Sequence, residues 1–218
     1  CLEDSKIAIE QAKKFPGQIY ATIGIHPDNC TNIKDIEELE QLYLKNKDVV
    51  VAWGECGLDY FQSSVDHETQ KLFFKKQIEI VNKYNLPICI HVRDAENDCL
   101  ELLKLIKNPN KVWIHCFAKD AQLAQKYIQL GYMVSIPGII TFKNAKDIQE
   151  SIRYIPIDKL MVETDGPWLA PAPFRGKTNF PYYVEYVLKD IAKRLNMNEE
   201  ELAKQITNNS LKFFNLID

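Results

Sequence analysis

The sequence predicts an α/β fold built from repeated strand–helix units. Short apolar segments alternate with amphipathic helical segments along all 218 residues, which is the pattern of successive βα units. The strand candidates are apolar almost throughout, as expected for strands covered on both faces of a parallel sheet. No linker, low-complexity stretch or charge block interrupts the alternation. We therefore predict a single domain over residues 1–218.

Six segments have the composition of buried strands, and they are Gln18–Ile25, Val49–Gly54, Pro87–Val92, Val112–Phe117, Tyr132–Ile136 and Lys159–Thr164. The chain begins in a segment typical of a helix. Further helices are predicted over Asp35–Asn46, Asp66–Tyr84, Ala95–Ile106, Ala121–Leu130, Asp147–Tyr154, Tyr182–Leu195 and Asn198–Phe214. In the second of these, the expected buried stripe is Leu72, Phe73, Gln77, Ile80 and Val81. An open doubly wound sheet and a (β/α)8 barrel both fit this order.

Composition excludes several classes of protein. No apolar run approaches the roughly 18–20 residues of a membrane span, so we expect no membrane association. The net charge of −3 gives no overall attraction for nucleic acid, although a local cleft or bound metal ions can supply positive charge. The six cysteines form no CxxC pair, which favours a reducing compartment. We expect a cytoplasmic location, or a nuclear one in a eukaryote.

Polar side chains follow five of the predicted strands. His26, His91 and His115 end three strands, and Glu55 and Asp165 end two others. A single histidine in such a place is more often a hydrogen-bonded structural residue than a ligand. In a barrel, however, the carboxyl ends of the strands converge on one face, and buried groups of this kind are costly unless paired or bound to metal. Their coincidence predicts a metal site.

The chemistry of this donor set limits the metal and the reaction. Histidine with carboxylate suits Zn²⁺, Mn²⁺ or Fe, and holds Mg²⁺ where carboxylates and water dominate. Two ions bridged by a carboxylate would suit hydrolysis of a phosphodiester. The remaining histidine, His67, begins an amphipathic helix beside acidic residues, so we expect it on the solvated surface.

Three cations are candidates for substrate binding. Arg93 follows a strand histidine by two residues, which places both side chains on one face, and its guanidinium could clamp a phosphate. The alternative is a structural salt bridge with Asp94 or Glu96. Arg175 and Lys177 lie on the Pro-rich segment 167–181, which we interpret as a rigid loop over a site. Their alternative role is solubility alone.

Ordered motifs span nearly the whole chain, and they are Gly24-Ile25-His26-Pro27, Gly54-Glu55-Cys56-Gly57-Leu58-Asp59-Tyr60, His91-Val92-Arg93-Asp94-Ala95, His115-Cys116-Phe117, Glu163-Thr164-Asp165-Gly166-Pro167 and Leu169-Ala170-Pro171-Ala172-Pro173 with Arg175-Gly176-Lys177 and Asn179. Together they resemble the TatD family of metal-dependent deoxyribonucleases, which belongs to the amidohydrolase-like TIM barrels. The resemblance implies a (β/α)8 barrel that binds two divalent metal ions. It also implies Mg²⁺-dependent hydrolysis of DNA, often as a 3′→5′ exonuclease on single strands, with Zn²⁺ or Mn²⁺ as other possible ions.

The resemblance also implies roles for individual residues. Glu55 would be a metal ligand, bridging the two ions, and His91 and His115 would be further ligands. Asp165 would bind metal and orient or deprotonate the attacking water, which makes Glu55 and Asp165 the catalytic carboxylates. His26 would line the site near the substrate phosphate.

Three departures from the family pattern stand out. The His-x-His motif of the family's first strand is absent, so we expect the barrel to lack its first one or two strands, roughly 40 residues. Ala118-Lys119 replaces the usual small polar residue followed by glycine. Asn179-Phe180-Pro181 replaces the family's Asn-Glu-Pro, which removes a partner for the neighbouring cations.

Two other functions fit the same motifs. The metal site could hydrolyse a small ester, amide or phosphoester, since a fold does not fix a substrate. A truncated barrel could instead bind a partner without turnover. Among the aromatic residues near the predicted loops, Tyr60, Phe61 and Trp168 are candidates for stacking on bases, whereas we expect Phe117 to pack in the core.

Overall fold

The structure is a computed structural model that describes residues 1–217. The chain divides into two compact units, Cys1–Val112 and Trp113–Asp218. The elements of the first unit are α1 (Leu2–Lys14), β1 (Ala21–Ile23), α2 (Lys34–Lys45), β2 (Val50–Asp59), α3 (His67–Tyr84), β3 (Ile88–Arg93) and α4 (Glu96–Leu103). The strand β4 (Val112–Ile114) begins at the boundary, and the second unit continues with α5 (Ala121–Gln129), β5 (Met133–Ile136), α6 (Lys146–Ser151), β6 (Leu160–Val162), α7 (Val184–Leu195) and α8 (Glu199–Phe213).

The strands of the first unit are parallel, in the order β1-β2-β3. Ile23 pairs with Trp53, and Gly57 pairs with His91. The side chains of the sheet and of its covering helices are fully buried where they meet, among them Trp53 and Phe74. This burial of large apolar groups stabilises the βα arrangement.

Helix α3 is the longest in the first unit, and its ends follow local rules. The Asp66 carboxylate accepts a hydrogen bond from the Thr69 backbone N–H at 2.9 Å, which caps the first turn. Asn85 adopts a left-handed conformation with φ of 52° and ends the helix. The expected buried stripe was wrong at one position, because Leu72 is 49% exposed. The other four positions are buried as expected, Gln77 among them, and Gln70 is buried on the same face.

The second unit also has parallel strands, in the order β4-β5-β6. Trp113 pairs with Met133. Buried Met133, Met161 and Phe213 form a cluster against which Trp113 and Phe214 pack, so that α8 is fixed to this sheet by apolar contacts. Asn198 caps α8 by accepting hydrogen bonds from two backbone N–H groups.

The predicted α/β organisation is confirmed, and all six predicted strands are present. One boundary differs in a way that matters for the site. The second strand does not end at Gly54 but runs to Asp59, because its polar second half continues to pair with β3. A closed eight-stranded barrel and a single domain stay predictions. Within residues 1–217, no helix has both the length and the apolarity needed to cross a membrane.

Candidate metal centre

His26, Glu55 and His91 form a cluster in the first unit. One candidate ligand atom from each side chain lies within 4.8 Å of the other two. Glu55 Oε1 is 2.8 Å from His91 Nδ1 and 4.0 Å from His26 Nε2. The two imidazole rings meet edge to face with centroids 4.5 Å apart. This set of nitrogen and oxygen donors fits a divalent metal ion.

Three strands contribute to the cluster, and glycines let them approach. A Cβ atom on Gly24 would lie 2.7 Å from the Gly54 Cα, so only glycine permits the observed contact of the β1 end with β2. A Cβ on Gly57 would lie 2.0 Å from the His91 carbonyl oxygen. Gly57 also has φ of 144°, a conformation that L residues with side chains rarely adopt. Gly54 and Gly57 therefore allow Glu55 to lie close to His91.

His91 lies between two carboxylates. Its Nδ1 faces Glu55, and its Nε2 is 2.9 Å from Asp59 Oδ2. Asp59 is buried, and its other oxygen accepts hydrogen bonds from the backbone N–H groups of Phe61 and Gln62. Burial raises the pKa of the Asp59 carboxyl, but the hydrogen bonds from Gln62 and His91 outweigh it, so the pKa is lowered. An ionised Asp59 is an acceptor for a proton on Nε2, and in that tautomer Nδ1 offers a lone pair to a metal ion.

Hydrogen bonds that involve the backbone on both sides of His26 fix its position. The buried Gln77 amide accepts a hydrogen bond from the Ile25 N–H at 2.8 Å and donates one to the Ile25 carbonyl at 3.0 Å. The Asp28 N–H donates to His26 Nδ1. Burial lowers the pKa of His26, and the nearby His91 lowers it further, so the ring is neutral near pH 7. With Nδ1 accepting, the proton sits on Nε2, the atom that faces Glu55. In this state Glu55 and His91 are the candidate metal ligands of the cluster, and His26 is a hydrogen-bond donor toward it.

The predicted ligand His115 lies in the second unit, and a chain of hydrogen bonds positions a carboxylate beside it. Trp113 Nε1 donates to the Ser135 hydroxyl, and that hydroxyl donates to Glu163 Oε2, both at 2.6 Å. The other carboxylate oxygen, Oε1, lies 3.6 Å from His115 Nδ1. Glu163 is thus placed to orient the imidazole from this side. The role of His115 as a metal ligand stays a prediction.

Asp165 follows β6 and is half-buried. Its φ of 59° is in the left-handed region, and its Oδ2 lies 3.8 Å from the Cys116 thiol. Cys116 likewise has a left-handed φ of 50°. Strained conformations of this kind are tolerated where surrounding structure fixes them, often at functional sites. The role of Asp165 as ligand and base stays a prediction.

Arg93 ends β3 with an exposed side chain. Its Nη1 donates to Gln62 Oε1 at 2.9 Å, and its guanidinium lies 4.2 Å from the centre of the Phe61 ring. Gln62 and Phe61, rather than Asp94 or Glu96, are thus its described contacts. Arg93 keeps its charge at the surface of the first unit, and its role as a phosphate clamp stays a prediction.

The two cations of the Pro-rich loop contact aromatic rings. The Arg175 guanidinium lies 4.4 Å from the centre of the Phe142 ring, and Lys177 Nζ lies 5.9 Å from that of Phe174. Both side chains are exposed. Their contribution to substrate binding stays a prediction.

His67 and the aromatic candidates are placed as follows. His67 is exposed, as expected, and its ring stacks on that of Tyr60 at 3.6 Å. Phe117 is 3% exposed and packs in the core of the second unit, which confirms its expected role. Phe61 and Trp168 are 65% and 72% exposed.

Sequence reasoning missed three residues that fix the site. Asp59 belongs to the motif 54–60, and its spacing from Glu55 and Gly57 places all three on one face of a strand. That spacing is the signal that could have identified it. Gln77 was read only as part of the buried stripe of α3, and Glu163 only as part of the motif around Asp165.

The chain has an α/β fold with a His/Glu/His cluster that could hold a divalent metal ion, and its relatives are metal-dependent hydrolases. The sequence profile of the family described as TatD related DNase matches residues 1–215. The chain belongs to this TatD family. An uncharacterized metal-dependent hydrolase of Mycoplasma genitalium is 38% identical over 221 residues, covering 98% of this chain and 84% of the relative. Another from Bacillus subtilis is 40% identical over 202 residues, covering 91% and 78%.

Solved structures agree with this assignment. A TatD homologue from Escherichia coli has a TM-score of 0.89 at 27% identity, covering 97% of this chain and 83% of that one. A TatD family hydrolase from Entamoeba histolytica has a TM-score of 0.86 at 26% identity, covering 98% and 81%. The α/β fold of this chain therefore matches that of solved TatD proteins.

Proposed function

We propose that the protein hydrolyses DNA phosphodiester bonds in a metal-dependent reaction, acting as a 3′→5′ exonuclease on single-stranded ends. The observation that carries the proposal is the cluster in which Glu55 Oε1, His91 and His26 converge within 4.8 Å. The family match to TatD related DNase supports DNA as the substrate.

The donor set of the cluster fits divalent metal ions, which would be held by Glu55 and His91, with His115 and Asp165 as the further ligands. We propose two ions, with Mg²⁺ in the working enzyme. A divalent ion held by these residues would supply Lewis-acid chemistry that makes a water more acidic and polarises the phosphate. Water is the proposed nucleophile.

The side chains of the first unit can each be given a task. Asp59 holds the His91 ring through Nε2, which keeps Nδ1 available as a ligand atom. His26 directs its Nε2 proton toward the cluster and can donate it to a phosphate oxygen. Arg93, exposed at the end of β3, can bind a second phosphate through its planar fork. In the second unit, we assign to Asp165 the removal of a proton from the attacking water.

The experiment compares hydrolysis by the parent chain and by Glu55→Gln. The chain is stripped with chelator and then supplied with Mg²⁺, Mn²⁺ or Zn²⁺, and single-stranded DNA labelled at its 5′ or 3′ end is the substrate. Glu68→Gln is the matched control, because Glu68 is exposed on α3 with 84% of its side chain accessible. We expect metal-dependent cleavage by the parent and the control, and a loss of about 10²–10³-fold or more in Glu55→Gln.

The products decide the remaining features of the proposal. Release of mononucleotides from the 3′ end, blocked by a nuclease-resistant 3′ linkage, is expected of a 3′→5′ exonuclease. Cleavage of small esters or phosphoesters with none of DNA would show that the substrate class is wrong. An inactive parent chain that binds no metal would instead favour a non-catalytic barrel.

A further inference from the structure

The segment 166–184, which makes up most of the connection between β6 and α7, contains no acidic residue. Asp165 precedes this segment and Glu185 follows it, and Arg175 and Lys177 lie within it. The chain as a whole has a net charge of −3, so this segment is locally positive in an acidic protein. Where the TatD pattern has a glutamate, this chain has Phe180. A locally positive surface attracts polyanions, even on a protein of acidic composition.

The same loop exposes large aromatic rings. Trp168 is 72% exposed, Tyr182 is 64% and Phe180 is 45%. The rings of Phe180 and Tyr182 stack with centroids 5.6 Å apart and planes inclined by 4°. Large exposed aromatic groups on this scale are typical of a surface that binds a ligand or a partner. The metal chemistry proposed above does not use these three rings.

The loop is built to hold these rings in place. Asn179 is buried, and its side-chain amide donates to the carbonyl oxygens of Thr164 and Trp168 at 2.6 and 2.7 Å. This ties the backbone of Trp168 to the residue that precedes Phe180. Prolines fix φ at several positions of the segment. The rings are therefore presented by an ordered backbone, which reduces the entropy lost when a ligand binds.

Among residues 1–217, neither Arg175 nor Lys177 forms an ion pair with a carboxylate. The described contacts of Arg175 and Lys177 are the faces of Phe142 and Phe174. A guanidinium or ammonium over an aromatic face keeps its full charge and its outward N–H donors. Both can thus meet phosphates while neighbouring rings meet bases.

We propose that Trp168, Phe180 and Tyr182, together with Arg175 and Lys177, form a docking surface for single-stranded DNA. Unpaired bases would stack on the three rings, and the cations would contact the backbone between them, which is the combination that binds single strands without sequence preference. Duplex DNA fits poorly, because its bases are already stacked on each other. The choice of DNA rests on the proposed function, whereas the aromatic and cationic surface is observed independently of it.

Binding is measured without turnover. Fluorescence anisotropy of a labelled oligothymidylate of about 12 nucleotides is followed with the full chain in chelator, so that no cleavage interferes. The variants are Trp168→Ala, Tyr182→Ala and their combination, beside the conservative Trp168→Phe and Tyr182→Phe. Tyr154→Ala is the matched control, because Tyr154 is 45% exposed on the same unit but outside this loop.

We expect each alanine variant to weaken binding by roughly 5- to 100-fold. The phenylalanine variants, which keep a ring, should stay within about 3-fold of the parent, and Tyr154→Ala should match it. Arg175→Gln with Lys177→Gln should reduce the slope of log K against log salt by about 1.4, the value for two phosphate contacts on a single strand.

Three results would overturn the proposal. They are an unchanged affinity in the combined alanine variant, an equal loss in Tyr154→Ala, and tighter binding of duplex DNA or of oligouridylate than of the single DNA strand. Cleavage with Mg²⁺ is assayed separately. Loss of binding in the alanine variants of a chain that cleaves no DNA would uphold this surface and refute the nuclease. Cleavage with unchanged KM in those variants would support the nuclease and refute this docking surface.

Discussion

The Asp59 carboxylate lies 2.9 Å from His91 Nε2, on the opposite side of the imidazole from Glu55. This contact fixes the orientation of the ring and favours the tautomer with the proton on Nε2. Asp59 reaches it because β2 continues in register with β3, so that Gly57 pairs with His91. The length of β2 therefore has a chemical consequence, since a strand that ended at Gly54 would not place a carboxylate there.

Replacing Asp59 with asparagine should weaken metal binding by about 10–100-fold. The amide can still accept hydrogen bonds from Phe61 and Gln62 through its oxygen, so the turn is preserved. Its NH₂ group would face His91 Nε2, which favours a ring protonated on Nδ1 and unable to bind metal there. Calorimetric titration with Mn²⁺ or Zn²⁺ measures the change, with Asp48→Asn, an exposed site in the same unit, as control. Equal affinities for parent and Asp59→Asn would remove Asp59 from the site.

Replacing Gly57 with alanine should separate β2 from β3. The new Cβ would lie 2.0 Å from the His91 carbonyl oxygen, a backbone atom that cannot move aside alone. The positive φ of 144° adds backbone strain for any residue with a side chain. Because of both effects, we expect the free energy of unfolding to fall by roughly 2–5 kcal/mol, measured by urea denaturation.

Gly17→Ala separates the two causes of that loss. Gly17 also has a positive φ, of 73°, but a Cβ there meets nothing within 4 Å. We expect Gly17→Ala to cost only about 1–2 kcal/mol. Similar losses for the two variants would mean that the close approach of β2 to His91 does not matter for stability.

Much of the fold was predictable because the strands are marked locally. Each predicted strand is an apolar run bounded by polar or helical sequence, and both units contain the predicted alternation. The same reasoning brought His26, Glu55 and His91 to attention, since each follows or interrupts an apolar run. One candidate ligand atom from each of them lies within 4.8 Å of the other two.

Other features depend on contacts between distant parts of the chain. The hydrogen bonds from Gln77 to Ile25 span 52 residues, and the contact of Asp59 with His91 spans 32. A local pattern carries no information about such partners, so Gln77 was read only as one member of a buried stripe. The contacts of Arg93 were also missed, because Gln62 and Phe61 lie in the turn that follows the unexpectedly long β2.

Replacing Gln77 with leucine should destabilise the first unit. The side chain is 1% exposed, accepts hydrogen bonds from the Ile25 N–H and Trp53 Nε1, and donates one to the Ile25 carbonyl. Leucine fills a similar volume but leaves these buried groups unsatisfied, at about 1–3 kcal/mol for each. With three groups affected, we expect a loss of about 3 kcal/mol or more by denaturant unfolding, with Gln125→Leu on the exposed face of α5 close to neutral. A loss below about 1 kcal/mol would show that the Ile25 backbone does not depend on Gln77.

Metal binding should stabilise the fold through His91 and not through His67. An ion that binds only the folded chain adds about 2.7 kcal/mol at a concentration of 100 times its Kd, which for a protein of this size raises Tm by about 5–10 °C. His91→Gln should abolish most of this shift, because it removes the nitrogen that faces Glu55 at 2.8 Å. His67→Gln should keep it, since His67 is exposed and stacks only on Tyr60 among its described ring contacts. Thermal unfolding with and without Mn²⁺, followed by circular dichroism, measures both. A full shift in His91→Gln would place the metal elsewhere in the chain, and a lost shift in His67→Gln would show that the start of α3 belongs to the site.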